Sequence, residues 1–274
     1  MRSPTSIRLT AFMLLCMAGL FSPAMAQKAE MEGPASTSAL HPWQATLPRL
    51  AAEAYFTNLK DGDKIETPFL VKFGLSGGWG LAPIAKPSQG KSGHHHLLIN
   101  RPLPLNFKEA LPFNDQYIHF GKGQMETVLT LPPGTYTLRM LLADQNHLPH
   151  FVYSKPTTIT ITKKTDKDPK SLPVKGISVA VASPVASTSF RVQFHASGFN
   201  VANLSQQEKD TGHFKLTATS KETSKSAEFD FTNGQTEVWL APPAGDYTLK
   251  LELLDNVNPG KVLAGPVTTT VKMQ

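Results

Sequence analysis

A chain of 274 residues, 40% of them hydrophobic and 18% charged, can bury one large or two small globular cores and is too apolar for a disordered polyelectrolyte. Its single cysteine excludes a disulfide framework, a cysteine zinc finger and an iron–sulfur cluster. The formal charge of +6 comes from 27 Lys and Arg against 21 Asp and Glu, and no basic block among them reads as a nucleic-acid arm.

In chain order, the first predicted element is a secretory signal over residues 1–26. Arg2 and Arg8 precede an apolar run from Leu9 to Phe21, and Ala24-Met25-Ala26 offers the small residues of a cleavage site before Gln27. The run is too short for a membrane span, and Leu15 is too large for the position before a lipid-modified Cys16. Cleavage removes Cys16, Arg2 and Arg8 and leaves 25 basic against 21 acidic residues. The expected product is a periplasmic or secreted protein with no lipid anchor, membrane span or nucleic-acid partner.

Residues 27–51 hold Pro34, Pro42 and Pro48 among small polar residues and read as a mobile arm, with Trp43 and Leu47 as docking candidates. Residues 163–175, charged and carrying two prolines, read as an interdomain linker. They delimit segments 52–162 and 176–274, each long enough for one small core.

The two segments repeat one another. Val71-Lys72-Phe73-Gly74-Leu75-Ser76-Gly77 aligns with Val192-Gln193-Phe194-His195-Ala196-Ser197-Gly198 at an offset of 121, and Gly93-His94 with Gly212-His213 at 119. Phe120–Asp144 then matches Phe231–Asp255 without a gap at 111, sharing Gly123, Gln124, Glu126, Pro132, Gly134 and Tyr136 among others. This is duplication of one domain.

Within each copy the period is that of strands. Val128–Leu131, a Pro132-Pro133-Gly134 turn and Tyr136–Leu142 read as a hairpin, and Thr157–Thr162 alternates as a half-buried last strand, repeated at Val267–Val271. The predicted fold is all-β: two tandem antiparallel β-sandwich domains of immunoglobulin or cupredoxin type, related by internal duplication.

Six of the nine histidines lie between 94 and 150: His94, His95, His96, His119, His147 and His150. The second copy puts Phe214, Lys215, Asp230, Asn258 and Lys261 opposite the last five, so the scaffold does not need them to fold. Strand alternation directs His95, Leu97 and Ile99 to the core and His94, His96 and His119 to the outer face. His147 and His150 fall in a loop made by Pro149. An H-x-H pair, a histidine on a second strand and a histidine-bearing loop supply several imidazoles to one ion, which suits Cu(II) or Zn(II). The candidate ligands are His94, His96, His119, His147 and His150, with His95 and Asp144 as weaker or supporting candidates. His41, His195 and His213 read as ordinary.

The runs Gly93–Ile99, Ile118–Gln124, Leu131–Gly134 and Asp144–His150 resemble the exported bacterial domain of unknown function 4399, over about residues 55–162. Met125 departs from the Thr expected after Gly-Gln, which the second copy shows as Thr236. The resemblance implies an exported His-rich β domain and no particular activity. The reading from the residues is an exported protein that binds copper or zinc for handling or sequestration, with another periplasmic protein as the second class of partner. Affinity is expected to fall as pH drops through about 6–6.5, the ordinary imidazole range. Two alternatives stand beside it: a non-catalytic immunoglobulin-like interaction module, and a His-ligated metal hydrolase or hydratase, since H-x-H followed by a third histidine has the ligand spacing of α-carbonic anhydrases.

Overall fold

The structure is a computed structural model describing residues 40–45, 52–84, 90–104 and 106–274. The expected signal peptide, its cleavage site and Leu47 lie outside the described residues. Among the described residues every regular element is a strand except a single 3-10 turn, Pro169–Ser171, within the expected linker. No helix among the described residues is long and apolar enough to cross a membrane.

The first copy contains β1 (Ala54–Phe56), β2 (Asp63–Thr67), β3 (Phe69–Leu75), β4 (Gly80–Leu81) and β5 (Ser92–Ile99). It continues with β6 (Tyr117–Phe120), β7 (Glu126–Leu129), β8 (Gly134–Ala143), β9 (Pro149–Tyr153) and β10 (Thr157–Lys164). A small sheet β1-β3-β7 faces a larger one ordered β2-β10-β8-β5-β4, with β6 added to β5 and β9 to β8. Period-two alternation turns Val71, Phe73 and Leu75 of β3 toward Leu97, Leu138, Met140, Leu142, Ile159 and Ile161 of the facing sheet.

The second copy runs through β11 (Gly176–Val181), β12 (Val185–Ala186), β13 (Phe190–Ser197), β14 (Asn200–Val201) and β15 (Thr211–Ser220). Then come β16 (Ser226–Asp230), β17 (Glu237–Leu240), β18 (Gly245–Asp255) and β19 (Val262–Met273). Its sheets, β11-β13-β17 and β12-β19-β18-β15-β14 with β16 on β15, repeat those of the first. Two sandwiches related by duplication are therefore present, but four pairings are parallel: β2 with β10, β4 with β5, β12 with β19 and β14 with β15.

The predicted hairpin at Pro132-Pro133-Gly134 is not one. β7 pairs with β3 and β8 with β5 and β10, so the turn carries the chain from one sheet across to the other. Two prolines withhold the amide donors that a hairpin ladder would use there. The crossing is pinned instead by the Tyr136 hydroxyl, which donates to the Pro132 carbonyl at 3.0 Å, and by Tyr247 to Pro243 at 2.8 Å in the second copy. This is the tyrosine corner of immunoglobulin-like sandwiches.

The sandwiches share one continuous apolar core, and their contact has a pseudo-two-fold pattern. Leu81 N donates to Gly234 O and Val201 N to Gly123 O, each at 2.9 Å. Glu126 accepts from His195 Nε2 at 2.9 Å and from Ser197 Oγ, while its counterpart Glu237 accepts from the Tyr55 hydroxyl at 2.7 Å. The repeated Gly-Gln-x-Glu run is thus an interface element. From the expected arm, Trp43 lies along β17: Ala241 N donates to its carbonyl at 2.7 Å and its ring meets Tyr247 edge-on.

Gly123 holds φ +86° with the space of a Cβ only 2.2 Å from Val201 O, whereas Gly62 at φ +84° faces open space. Gly62→Ala should cost about 1 kcal/mol, the left-handed penalty alone, and Gly123→Ala about 3 kcal/mol or more because the interface must also open. Urea denaturation of both variants checks the difference.

Candidate metal centre

All eight residues of β5 are buried. The alternation expected from sequence holds, since His95 packs in the core with its ring centroid 5.5 Å from Phe73, while His94 and His96 face the other way. The exposure implied by an outer face does not hold: His94 and His96 are 0% exposed. The cover is residues 100–116, the connection from β5 to β6, from which Leu103, Phe107 and Leu111 pack with Leu98, Leu141 and Ala143. In the second copy only residues 221–225 join β15 to β16, and the equivalent face of Lys215, Thr217 and Thr219 stays half-exposed.

Strand register brings the third histidine. β6 pairs antiparallel with β5 so that His119 stands directly opposite His96. The fourth comes from the β8–β9 loop, shaped by Asp144. Its Oδ1 accepts from Asn146 N at 2.8 Å and Leu148 N at 2.9 Å, and its carbonyl accepts from His147 N at 2.9 Å. His147 adopts φ +62° and its carbonyl accepts from Leu111 N at 2.9 Å, tying the loop to the cover. Ring centroids lie 4.4 Å apart for His94–His96, 4.2 Å for His96–His119 and 4.8 Å for His119–His147. One nitrogen from each of His94, His96, His119 and His147 falls within 4.8 Å of all the others.

The tautomers follow from backbone acceptors. A carbonyl cannot donate, so His119 Nε2–H donates to Pro112 O at 2.9 Å and His96 Nδ1–H to His94 O at 3.3 Å. In neutral rings this leaves His96 Nε2 and His119 Nδ1 as lone pairs, and they face each other at 3.0 Å. That is close to the separation, about 3.3 Å, of two nitrogens on one tetrahedral ion. His94 has both ring nitrogens buried without a partner, and so is His147 Nε2. Backbone carbonyls holding the remote nitrogens are the usual support of metal-ligating imidazoles.

Protonation does not relieve the contact. Burial first, then repulsion from His147 and His119, pushes the His94 pKa down to about 3. Burial takes His96 well below the ordinary imidazole range, with His94 and His119 adding to it, and lowers His119 and His147 as well. Burial therefore favours the neutral, ligand-competent form of all four rings, most strongly for His94 and His96.

The second copy shows the alternative arrangement. His213, equivalent to His94, has Nδ1 at 2.6 Å from Asn256 Oδ1 and Nε2 at 3.1 Å from Asp230 Oδ1. Asp230 occupies the place of His119, and Lys215, in the place of His96, pairs with Glu228 at 2.9 Å. Every need that the first copy leaves unmet at His94 is met here by side chains.

His150 stands apart from the four. Its ring lies 4.7 Å from that of Trp79, and its Nε2 is buried without a partner. Asp144 shapes the loop rather than joining the nitrogen set, and its counterpart Asp255 likewise accepts from Val257 N at 2.9 Å. No pattern in the sequence marks Pro112, or Phe113, which stacks on His119 at 4.1 Å and meets His147 edge-on at 4.5 Å while itself 71% exposed.

A profile described as Domain of unknown function (DUF4399) matches residues 71–162 and again 192–272, more than half of the chain. The chain belongs to the DUF4399 family. The second match places the histidine-poor copy in DUF4399 too, so the family's scaffold exists within this one chain with and without the cluster. Among curated proteins none matches this chain in sequence. Solved structures with similarity include the Clostridium thermocellum CbhA fibronectin(III)-like modules, 8% identical, covering 80% of this chain and 92% of that one at TM-score 0.26. A two fibronectin type-III domain segment from chicken tenascin is 14% identical over 81% and 98% of the respective chains, at TM-score 0.25.

His95 is fully buried with both nitrogens unpartnered, and burial alone lowers its pKa to about 3. The unfolded chain therefore binds protons that the folded one refuses. The stability His95 leaves intact above pH 6.5 should be lost as pH falls toward 3, at about 1.4 kcal/mol per pH unit. Urea denaturation of metal-free protein between pH 7 and 5 should show at least this slope, and His95→Leu should lower it.

Proposed function

We propose that this DUF4399 protein is an exported metal-handling protein that holds one Cu(II) or Zn(II) ion through His94, His96, His119 and His147. The observation that carries the reading is the convergence of one ring nitrogen from each of His94, His96, His119 and His147 within 4.8 Å of one another, with both nitrogens of His94 buried and unpartnered. In the tautomers set by the two backbone carbonyls, a cation between His96 Nε2 and His119 Nδ1 turns their repulsion into attraction. Four imidazoles without thiolate or carboxylate favour Cu(II) and Zn(II) over Mg(II), Ca(II) and Cu(I).

Four protein ligands complete a tetrahedral set, whereas a catalytic zinc keeps one position for water. This supports binding and transfer over the hydratase alternative. His119 and His147 are the half-exposed ligands, so exchange proceeds from their side, under Phe113. His150, one residue beyond β9's first, lies outside the set with its ring against Trp79.

Untagged protein should take up one equivalent of Cu(II) or Zn(II) in a calorimetric titration. His96→Ala or His119→Ala should weaken binding about 100-fold or more, and His150→Ala by less than about tenfold. Loss of affinity with falling pH should set in below the pH at which free imidazoles protonate, because burial holds all four rings neutral. Equal, weak binding by wild type and His96→Ala would sink the proposal. Export is tested separately: N-terminal sequencing of the protein from the periplasm or medium should begin at Gln27.

A further inference from the structure

Beside the histidines, on the same outer face of the sheet, β8 and β9 border a cavity of about 390 Å³. Glu53, Arg139, Phe151, Tyr153, Ser154 and Lys155 line it. Its volume is that of a small-molecule site. Arg139 rises from β8 opposite Leu98, and its Nε is buried with no acceptor. Among the described residues, Arg139, Lys155 and the Glu53 carboxylate make no ion pair, although all three border one cavity. Phe151 is 76% exposed at the mouth and stacks on Phe107 of the cover at 4.4 Å, while Tyr153 is paired in register with Leu141.

The second copy again provides a control. Lys250 stands in the place of Arg139 and is neutralised by Glu252 at 2.9 Å. Val262, Leu263 and Ala264 of β19 replace the aromatic strand. The sheet therefore needs neither the free guanidinium nor the aromatic walls.

We propose that this cavity binds a small aromatic monocarboxylate carrying a hydrogen-bond donor, the class that includes hydroxybenzoates and aromatic amino acids. A guanidinium without a partner presents a donor fork that matches a carboxylate, and Lys155 adds charge. Phe151 and Tyr153 give a planar body two aromatic contacts. Glu53 repels a second negative charge and accepts from a hydroxyl or ammonium group on the ligand. Inorganic phosphate has neither the apolar body nor the single charge. The inference stands on its own observations and does not depend on the metal reading.

The test is titration of the full chain with 4-hydroxybenzoate, followed by calorimetry and ligand-observed NMR, with 4-hydroxybenzamide and phosphate as comparisons. Saturable one-to-one binding of the acid is expected, with the amide and phosphate at least about tenfold weaker. Arg139→Gln should weaken the acid about tenfold or more and leave metal uptake unchanged, with Arg139→Lys in between. Where Arg139→Gln lowers the melting temperature, Lys155→Gln, an exposed position, is read instead and should weaken binding in the same direction. The proposal is overturned by no saturation up to about 10 mM acid, by equal binding of the amide or phosphate, or by variants that bind as the wild type does.

Discussion

A strand buried on both faces sets the terms for the first sandwich. β5 has the sandwich core on one side and the 100–116 cover on the other, so water reaches none of its side chains. Each must then be apolar, be hydrogen-bonded within the protein, or be held by something the sheet does not supply. Leu97, Leu98 and Ile99 meet the first condition, and His96 Nδ1 meets the second through the His94 carbonyl. His94, His96 Nε2, His119 Nδ1 and His147 Nε2 are left for the third. The cost of burying neutral imidazoles with unmet nitrogens gives the cluster its chemical meaning, more than the number of histidines does.

The second sandwich takes part in this arrangement through its backbone. Gly234 accepts from Leu81 of β4, and β4 in turn pairs with β5 at Gly80–Ser92 and Leu81–Gly93, directly beside His94. Ala82 N closes the edge on Gly93 O at 2.8 Å. The interface glycines, with positive φ and no room for a side chain, allow the two backbones to approach this closely. The duplicated copy is thus a buttress for the edge of the histidine-bearing sheet, with its own equivalent site closed by Asp230 and Asn256.

Much of this was legible in advance because strands have a period of exactly two residues' alternation and turns have chemical signatures. The repeat exposed the two sandwiches. The pairing of Phe214, Leu216 and Ala218 against His213, Lys215 and Thr217 sorted the faces of β5 correctly. The connection from Leu131 to Tyr136 looks like a hairpin in sequence because Pro-Pro-Gly marks a turn without saying whether the strands on either side share a sheet. Sequence proximity to His147 does not reveal that the ring of His150 lies against Trp79, outside the four nitrogens that converge.

Burial of the site was not legible. Leu103, Phe107 and Leu111 recur every four residues, a helical spacing that Pro102, Pro104 and Pro112 deny a helix, so nothing local marks the β5–β6 connection as a cover. The sequence by itself determined two β copies, which of them carries the imidazoles, and which face of each strand they occupy, since these depend only on alternation and on comparison between repeats. Tertiary structure alone decided that His94 and His96 are buried on the outer face, that His119 faces His96, and that His147 joins them within 4.8 Å. Those outcomes depend on contacts between residues distant in the chain, where desolvation, strand register and a turn held by Asp144 act together.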